Sequence, residues 1–410
     1  MQTKYIKTAI RFGNRICREA IRHNGKTNWI ACASESGLKV SKSYYQALKG
    51  DWYSGTSGIA FFLAHLYEYS NETLHKTIAI EAIHHALDRM EDIEYGKLGF
   101  HSGITGIAFS AINVGEKLHQ IELVNKGLSL LEGLNQLPLK EYTLDIIDGC
   151  AGAIPVLLKV IKKYPSSDLN ELLQKMGNYL LQKSQQEKIG CSWNTMEHGT
   201  KGNLTGYAHG ASGIAIALLE LWKYTNNNQF LDAANNGFIY EESLFVKNQK
   251  NWPDLRTTPN ESSDINDETV CSCAWCHGAP GIGLARLRAY ELTQNPTFMT
   301  YAQNAIDTTY NQLELAKLGN YSLCHGVFGN AELLVYAYEV TGEKKYLTKA
   351  RKAGDSLIKN YEETARAIPN GTQTDYFSPD MMLGLAGIGY YYLRINDPAK
   401  FNSVLLINPN

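Results

Sequence analysis

Gly55-Thr56-Ser57-Gly58-Ile59-Ala60-Phe61-Phe62-Leu63-Ala64 is a glycine turn that runs directly into an apolar segment. The same G-x-x-G turn returns at Gly103–Gly106, Gly149–Gly152, Gly210–Gly213, Gly278–Gly281, Gly326–Gly329 and Gly384–Gly387. From first glycine to first glycine the seven copies are 48, 46, 61, 68, 48 and 58 residues apart, a repeat of supersecondary size. Each turn opens a run such as IAFFLAHLY, IAIALLELW or IGYYYL, rich in Ala, Leu and aromatics and too long for a typical strand. Such runs suit helices buried on most sides. Between them lie half-polar stretches such as Tyr346–Ile358, which suit outer helices.

The repeating unit is therefore an inner apolar helix opened by a glycine turn and followed by an amphipathic outer helix. In this reading the glycines permit positive φ and close backbone approach ahead of a helix N-terminus. Repeats of this kind stack either as an open solenoid or as a closed ring. The last copy, MLGLAGIGYYYL, is as apolar as the internal ones, and nothing at either end reads as a polar cap. The expected fold is all-α: an α/α toroid, a closed barrel of seven inner and seven outer helices. It forms one domain over 1–410, with 1–50 as an N-terminal outer helix and a lead-in segment.

Composition sets the boundaries of function. In 410 residues, 44% hydrophobic and 20% charged content is that of an ordinary globular chain, and a formal charge of −2 indicates neither nucleic acid nor a membrane surface as partner. No run approaches the length needed to span a bilayer, and the N-terminus has no signal-peptide core. The eight cysteines, scattered except at 271–276, read as reduced thiols or metal ligands in a cytoplasmic setting.

If the seven turns share one rim, the residues just before them face one cavity: Tyr53-Ser54, His101-Ser102, Asp148, His209, Cys276-His277, Cys324-His325 and Met381-Met382-Leu383. Cys276 and Cys324 stand two residues before their glycines and so are equivalent positions on adjacent units. Two thiolates and an imidazole at one rim make a Cys2His zinc site with an open fourth position, the pattern of catalytic zinc. The bland alternative is that these cysteines are small buried hydrophobes. Cys271 and Cys273 read as ordinary loop thiols, since no βαβ pattern accompanies the C-x-x-C at Cys273–Cys276. His101 and Tyr53 read as cavity lining.

Taken together, the seven turns, AWCHGAPGIGLARL, LCHGVFGNAELL, GYAHGASGIA and MMLGLAGIGYYYLR resemble the lanthionine synthetase C-like family, the lanthipeptide cyclases. The likeness runs from about Asp51 to the end and is greatest to the cyclase half of class II synthetases, here without a dehydratase domain. It implies an α/α toroid, one Zn2+ held by Cys276, Cys324 and His325, and His209 and Asp145 as acid/base groups, with His277 a second candidate acid and Asp148 a local rival to Asp145. The implied reaction adds a peptide Cys thiol to dehydroalanine or dehydrobutyrine, giving a (methyl)lanthionine thioether. The implied partner is a dehydrated precursor peptide with its leader; a separate dehydratase is a further candidate. One departure stands out. Nisin-type cyclases carry an arginine four residues before the first zinc cysteine and a tyrosine just after it, where this chain has Ser272 and His277. That leaves a non-catalytic zinc-containing peptide- or glutathione-binding member as the alternative. A zinc hydrolase would want a H-E-x-x-H motif, and a toroidal glycosidase would want paired rim carboxylates, of which only Asp145 and Asp148 are read.

Overall fold

A computed structural model describes residues 2–36, 41–138, 142–196, 199–256, 271–315, 319–364, 366–372 and 376–409. Among these residues there are fourteen α-helices. The seven that follow the glycine turns are α2 (Thr56–Ser70), α4 (Ile104–Leu118), α6 (Cys150–Lys163), α8 (Ala211–Thr225), α10 (Ala279–Thr293), α12 (Val327–Thr341) and α14 (Leu385–Asn396). Their apolar character on all sides has its structural counterpart in burial: α8 buries every residue from Ala211 to Leu221. The alternating helices are α1 (Lys4–Arg18), α3 (Thr73–Asp88), α5 (Ile121–Gly133), α7 (Ser167–Lys183), α9 (Asn228–Ser243), α11 (Pro296–Leu315) and α13 (Lys344–Leu357). These bury one stripe only, as in α13 at Tyr346, Leu347, Ala350, Gly354 and Leu357.

Each inner helix packs against the next in the series, and α14 packs back against α2. Each outer helix packs on the inner helix before it, while α1 supplies the partner of α14. A chain of main-chain hydrogen bonds links the turns in the same order. The N–H of Tyr53 donates to His101 O (2.7 Å), Ser102 to Ile147 (3.1 Å), Ile146 to Ala208 (3.1 Å) and Ala208 to Cys276 (3.4 Å). Cys276 donates to Cys324 (3.4 Å), Cys324 to Met382 (3.1 Å), and Met382 to Tyr53 (2.9 Å), where the chain of bonds began.

The structure corrects the reading of the glycines. Six of the seven first glycines have extended backbone, such as φ −106° at Gly55, and only Gly278 has a positive value, 97°. Close approach is what they share. A Cβ on Gly106 would lie 1.8 Å from Phe100 O and 3.0 Å from Trp52 Cβ, on the preceding turn. At Gly281 the same atom would meet Trp275 O at 2.0 Å and Tyr207 Cβ at 2.7 Å. The second glycine of the turn is thus the place where a neighbouring turn lies against the helix backbone.

Residues 1–50 carry more than a helix and a lead-in. Asn24 and Gly25 (φ 48° and 71°) make the tight turn between β1 (Ile21–His23) and β2 (Lys26–Asn28), an Asn-Gly hairpin signal plain in HNGK. β3 (Ile30–Ser36) then pairs antiparallel with β4 (Ser41–Ala47), with Cys32 opposite Tyr45. A two-residue pair, β5 (Gln185–Gln186) with β6 (Cys191–Ser192), lies before turn four. At the other terminus the tail enters the protein: Trp275 Nε1 donates to Leu405 O (3.1 Å) and Lys159 Nζ to Asn408 O (2.9 Å). Among the described residues no helix is long and apolar enough to cross a membrane.

Candidate metal centre and active site

All seven pre-glycine segments contribute to one cavity of about 640 Å³, with Tyr53 and Ser54, Ser102, Ile147, Ala208 and His209, Cys276, and Cys324 coming from turns one to six. Turn seven adds Asp380 and Leu383, and the β3–β4 hairpin lies at the same opening through Cys32 and Gln46. The turns therefore do share a rim, because each precedes an inner helix at the same end.

Cys276 and Cys324 meet across adjacent turns as free thiols that hydrogen-bond to each other. The bond from Cys324 lowers the Cys276 pKa, helped by the charges of Arg256 and His209, while the same bond and burial push the Cys324 thiol up. Cys276 is thus the more acidic thiol of the pair. Tyr53 reaches Cys324 through its hydroxyl. This is more than lining: the phenol of turn one touches a thiol of turn six.

His325 stands beside the pair with its ring fixed by the Gly371 carbonyl, 3.1 Å from Nε2. A carbonyl only accepts, so Nε2 carries the hydrogen and Nδ1 carries the lone pair. Metal-bound histidines characteristically have this outer hydrogen bond. The donor types therefore fit zinc, two sulfurs and a neutral imidazole. As placed, however, no three His, Cys, Asp or Glu side chains among the described residues converge into a metal-holding group. The two thiols are brought together; the His325 ring is held toward Gly371.

On the wall of the same cavity, His209 Nδ1 lies 2.6 Å from Asp145 Oδ2. Burial lowers the His209 pKa, but the hydrogen bond and charge of Asp145, with Asp148 and Cys276, outweigh it and leave the pKa raised. Asp145 does two things with two oxygens: Oδ1 accepts the Asp148 N–H (2.8 Å), capping its own turn, while Oδ2 holds His209. The capping and catalytic readings of Asp145 are therefore compatible. Asp148, the rival, is tied instead to Ser102 Oγ and to Lys97 (3.5 Å).

His277 differs. Its ring is 4% exposed, stacks 6.0 Å from His209, and has an Nδ1 with no hydrogen-bond partner. Burial pulls its pKa down to about 4, so it is neutral near pH 7. His101 is also pulled down by burial to about 4 and packs on Trp275 at 5.1 Å. Two carboxylates escaped the reading of the rim. Asp51 and Asp380 line the cavity four residues before turns one and seven, the register of Asp145 before turn three. Their oxygens accept from Ser54 N (2.7 Å) and Leu383 N (2.7 Å), so both serve as turn caps. Asp-x-x-x-Gly was the signal that would have found them.

A family model described as lanthionine synthetase C-like protein matches residues 46–406. The chain belongs to the lanthionine synthetase C-like family. It is 26% identical over 284 residues to the lacticin 481/lactococcin biosynthesis protein LcnDR2 of Lactococcus lactis subsp. lactis, a match covering 67% of this chain and 27% of that protein. To the nisin biosynthesis protein NisC of the same organism it is 25% identical over 279 residues, 62% of this chain and 66% of that one. The match thus spans about a quarter of the first relative and just under two thirds of the second. Nisin cyclase has a similar fold, with a TM-score of 0.66 at 19% identity over 87% of this chain and 92% of that chain. A family 76 glycoside hydrolase from a bovine Bacteroides thetaiotaomicron strain is also similar, at 0.53 and 10% identity over 97% and 79%. One architecture carries both names, so in a lanthionine synthetase C-like protein the site must decide the chemistry.

Proposed function

We propose that the protein is a zinc-dependent lanthipeptide cyclase built on a closed α/α toroid. It adds cysteine thiols of a dehydrated precursor peptide to dehydroalanine or dehydrobutyrine, forming (methyl)lanthionine thioethers. The observation that supports this reading best is the pairing, across one cavity, of the Cys276–Cys324 thiols with the Asp145–His209 couple. A hydrolytic zinc site would instead be expected to hold histidine or carboxylate ligands with a glutamate base.

Zinc held by Cys276, Cys324 and His325 would supply a position where a peptide thiol loses its proton at neutral pH. The remaining steps belong to the chain. The peptide sulfur attacks the alkene β-carbon, the C–S bond forms, and the π pair moves toward the carbonyl to give an enolate. The α-carbon then takes a proton, balancing the one the thiol released. His209 is the group to deliver it, because Asp145 keeps its imidazole more basic than usual. His277, held neutral by burial and stacked on the His209 ring, is the weaker candidate for that proton.

The test is direct. The zinc-loaded protein is incubated with a dehydrated precursor peptide, and the remaining thiols are counted by alkylation and mass spectrometry. Thiols should disappear faster than in the enzyme-free control, and Cys276→Ala should lose metal and activity together. Thiol loss equal to the control sinks the cyclase reading, and retained peptide binding would then mark a non-catalytic member.

A further inference from the structure

The turn that carries His209 is held differently from turns one, three and seven. In those three an aspartate four residues before the first glycine, Asp51, Asp145 or Asp380, accepts a main-chain N–H of its own turn. Turn four has Gly206 at that place, with φ 104°, and a Cβ there would lie 3.1 Å from Cys276 O. Its carboxylate comes from outside the turn. Glu241, fully buried on outer helix α9, accepts the Gly206 N–H at Oε1 (2.8 Å) and the Ser212 hydroxyl at Oε2. Gly206 stands three residues before His209 and Ser212 three residues after it, so one carboxylate grips the turn on both sides of the imidazole. Ser57 has the same register in turn one, and its buried hydroxyl has no such partner. Glu241 is itself held from the next inner helix. Arg286 of α10 donates to its Oε2 (3.0 Å) and to Phe238 O (3.4 Å), with the guanidinium 4.2 Å from the centre of the Phe238 ring.

We infer that Glu241 is a positioning residue for His209: it fixes turn four to the outer wall and so keeps the imidazole within reach of Asp145. The inference rests on the cyclase reading for what His209 does in the reaction. The bland alternative is a buried ion pair that only joins α9 to α10. A pair of that kind lies in the same wall, where Arg288 of α10 holds Glu220 of α8 (2.5 Å) and, among the described residues, neither side chain bonds to a glycine turn. Glu241 differs because both of its oxygens end on turn four. Position matters at this place. Asp145 acts on His209 across 2.6 Å, and both the hydrogen bond and the charge effect weaken as that distance grows. Turn four is also tied to turn five through Ala208 N and Cys276 O (3.4 Å), so its placement sets His209 relative to Cys276. A catalytic group displaced by about 1 Å costs on the order of 10²-fold in rate.

Three variants of the full chain separate the two roles: Glu241→Gln, Ser212→Ala and, as the control, Glu220→Gln. Each is measured by single-turnover cyclisation, by zinc content and by NMR titration of the His209 ring, its signal assigned with His209→Asn. The titratable groups facing His209 are Asp145, Asp148, Cys276, His277 and His101, and all of them stay in place. Loosening turn four lets the imidazole draw away from Asp145. Glu241→Gln should therefore lower the His209 pKa and slow cyclisation by about 10-fold to 10²-fold at unchanged zinc content. Ser212→Ala keeps the Glu241 charge and its bond to Arg286, and should move both readings the same way by less. Glu220→Gln should lose resistance to denaturant and leave both readings alone. Wild-type rate and His209 pKa in Glu241→Gln and Ser212→Ala overturn the inference and leave an ion pair of the wall. A shift in Glu241→Gln with none in Ser212→Ala also overturns it, since charge rather than position has then been lost. If Glu241→Gln does not fold, Ser212→Ala decides by the same two readings. If the wild-type protein itself forms no ring, the cyclase reading fails instead, and the His209 titration still decides whether Glu241 positions the ring.

Discussion

At the residue scale, the site is a set of paired groups, each of which changes the other. Asp145, 2.6 Å away, is the main reason that His209 is more basic than usual. In Asp145→Asn the burial penalty is opposed only by Asp148 and Cys276, so the His209 pKa should fall. The sign follows directly: an acid must be protonated to act, so activity persists up to the raised pKa and is lost as pH rises through it. The alkaline limb of the pH–rate profile should accordingly move to lower pH in Asp145→Asn, with the zinc content kept. His209→Asn should lose about 10²–10⁴-fold in cyclisation rate, the usual range for a proton-transferring side chain. An alkaline limb that stays in place in Asp145→Asn would show that some other group carries the proton. Motif position alone identified the cysteines and His209. It placed Tyr53 on the rim without showing that its hydroxyl reaches Cys324, because that contact depends on where distant turns come to lie.

At the element scale, the glycine turn is the unit that builds both wall and site. Its second glycine lies against a carbonyl of its own turn, with the preceding turn close beyond at Gly106 and Gly281, so the contact tolerates no Cβ. Gly106→Ala would place that atom 1.8 Å from Phe100 O and should destabilise by about 1–3 kcal/mol, in the range of overpacked cores. Gly133→Ala is the control. Its φ of −59° is helical and its Cβ would meet nothing within 4 Å, so it should stabilise by up to about 1 kcal/mol. Denaturant unfolding measures both; equal effects at the two sites would remove close approach as the reason for the repeat. Inner helices also hide charge that apolar patterning conceals. Arg286 of α10 pairs with Glu241 of α9 (3.0 Å), and Arg394 of α14 with Glu332 of α12 (3.0 Å), all four buried. In IGLARLRAY and IGYYYLR these arginines look like interruptions, whereas in the fold they tie one helix to the next.

At the scale of the molecule, the chain closes its circuit of hydrogen bonds from turn seven to turn one, and the tail reaches inside it. Trp275, directly before Cys276, hydrogen-bonds Leu405, so turn five rests on the C-terminal tail. Burial also makes the whole protein acid-sensitive. His65 and His101 are held neutral by burial, at about 3 and about 4. Below the unfolded value of about 6.5 the unfolded chain takes up protons that the folded one refuses, so stability should fall as pH drops from about 6.5 toward 4. The loss is on the order of 3 kcal/mol for each group. Thermal unfolding across that window tests this; a flat profile, or a His65→Gln variant as acid-sensitive as wild type, would contradict it. The sequence by itself determined the helical repeat, the shared rim and the two equivalent cysteines, because local pattern and glycine spacing repeat along the chain. Only the tertiary structure decided which oxygen of Asp145 holds His209 and that Tyr53 meets Cys324. Those contacts arise between residues tens to hundreds of positions apart, and packing alone brings them together.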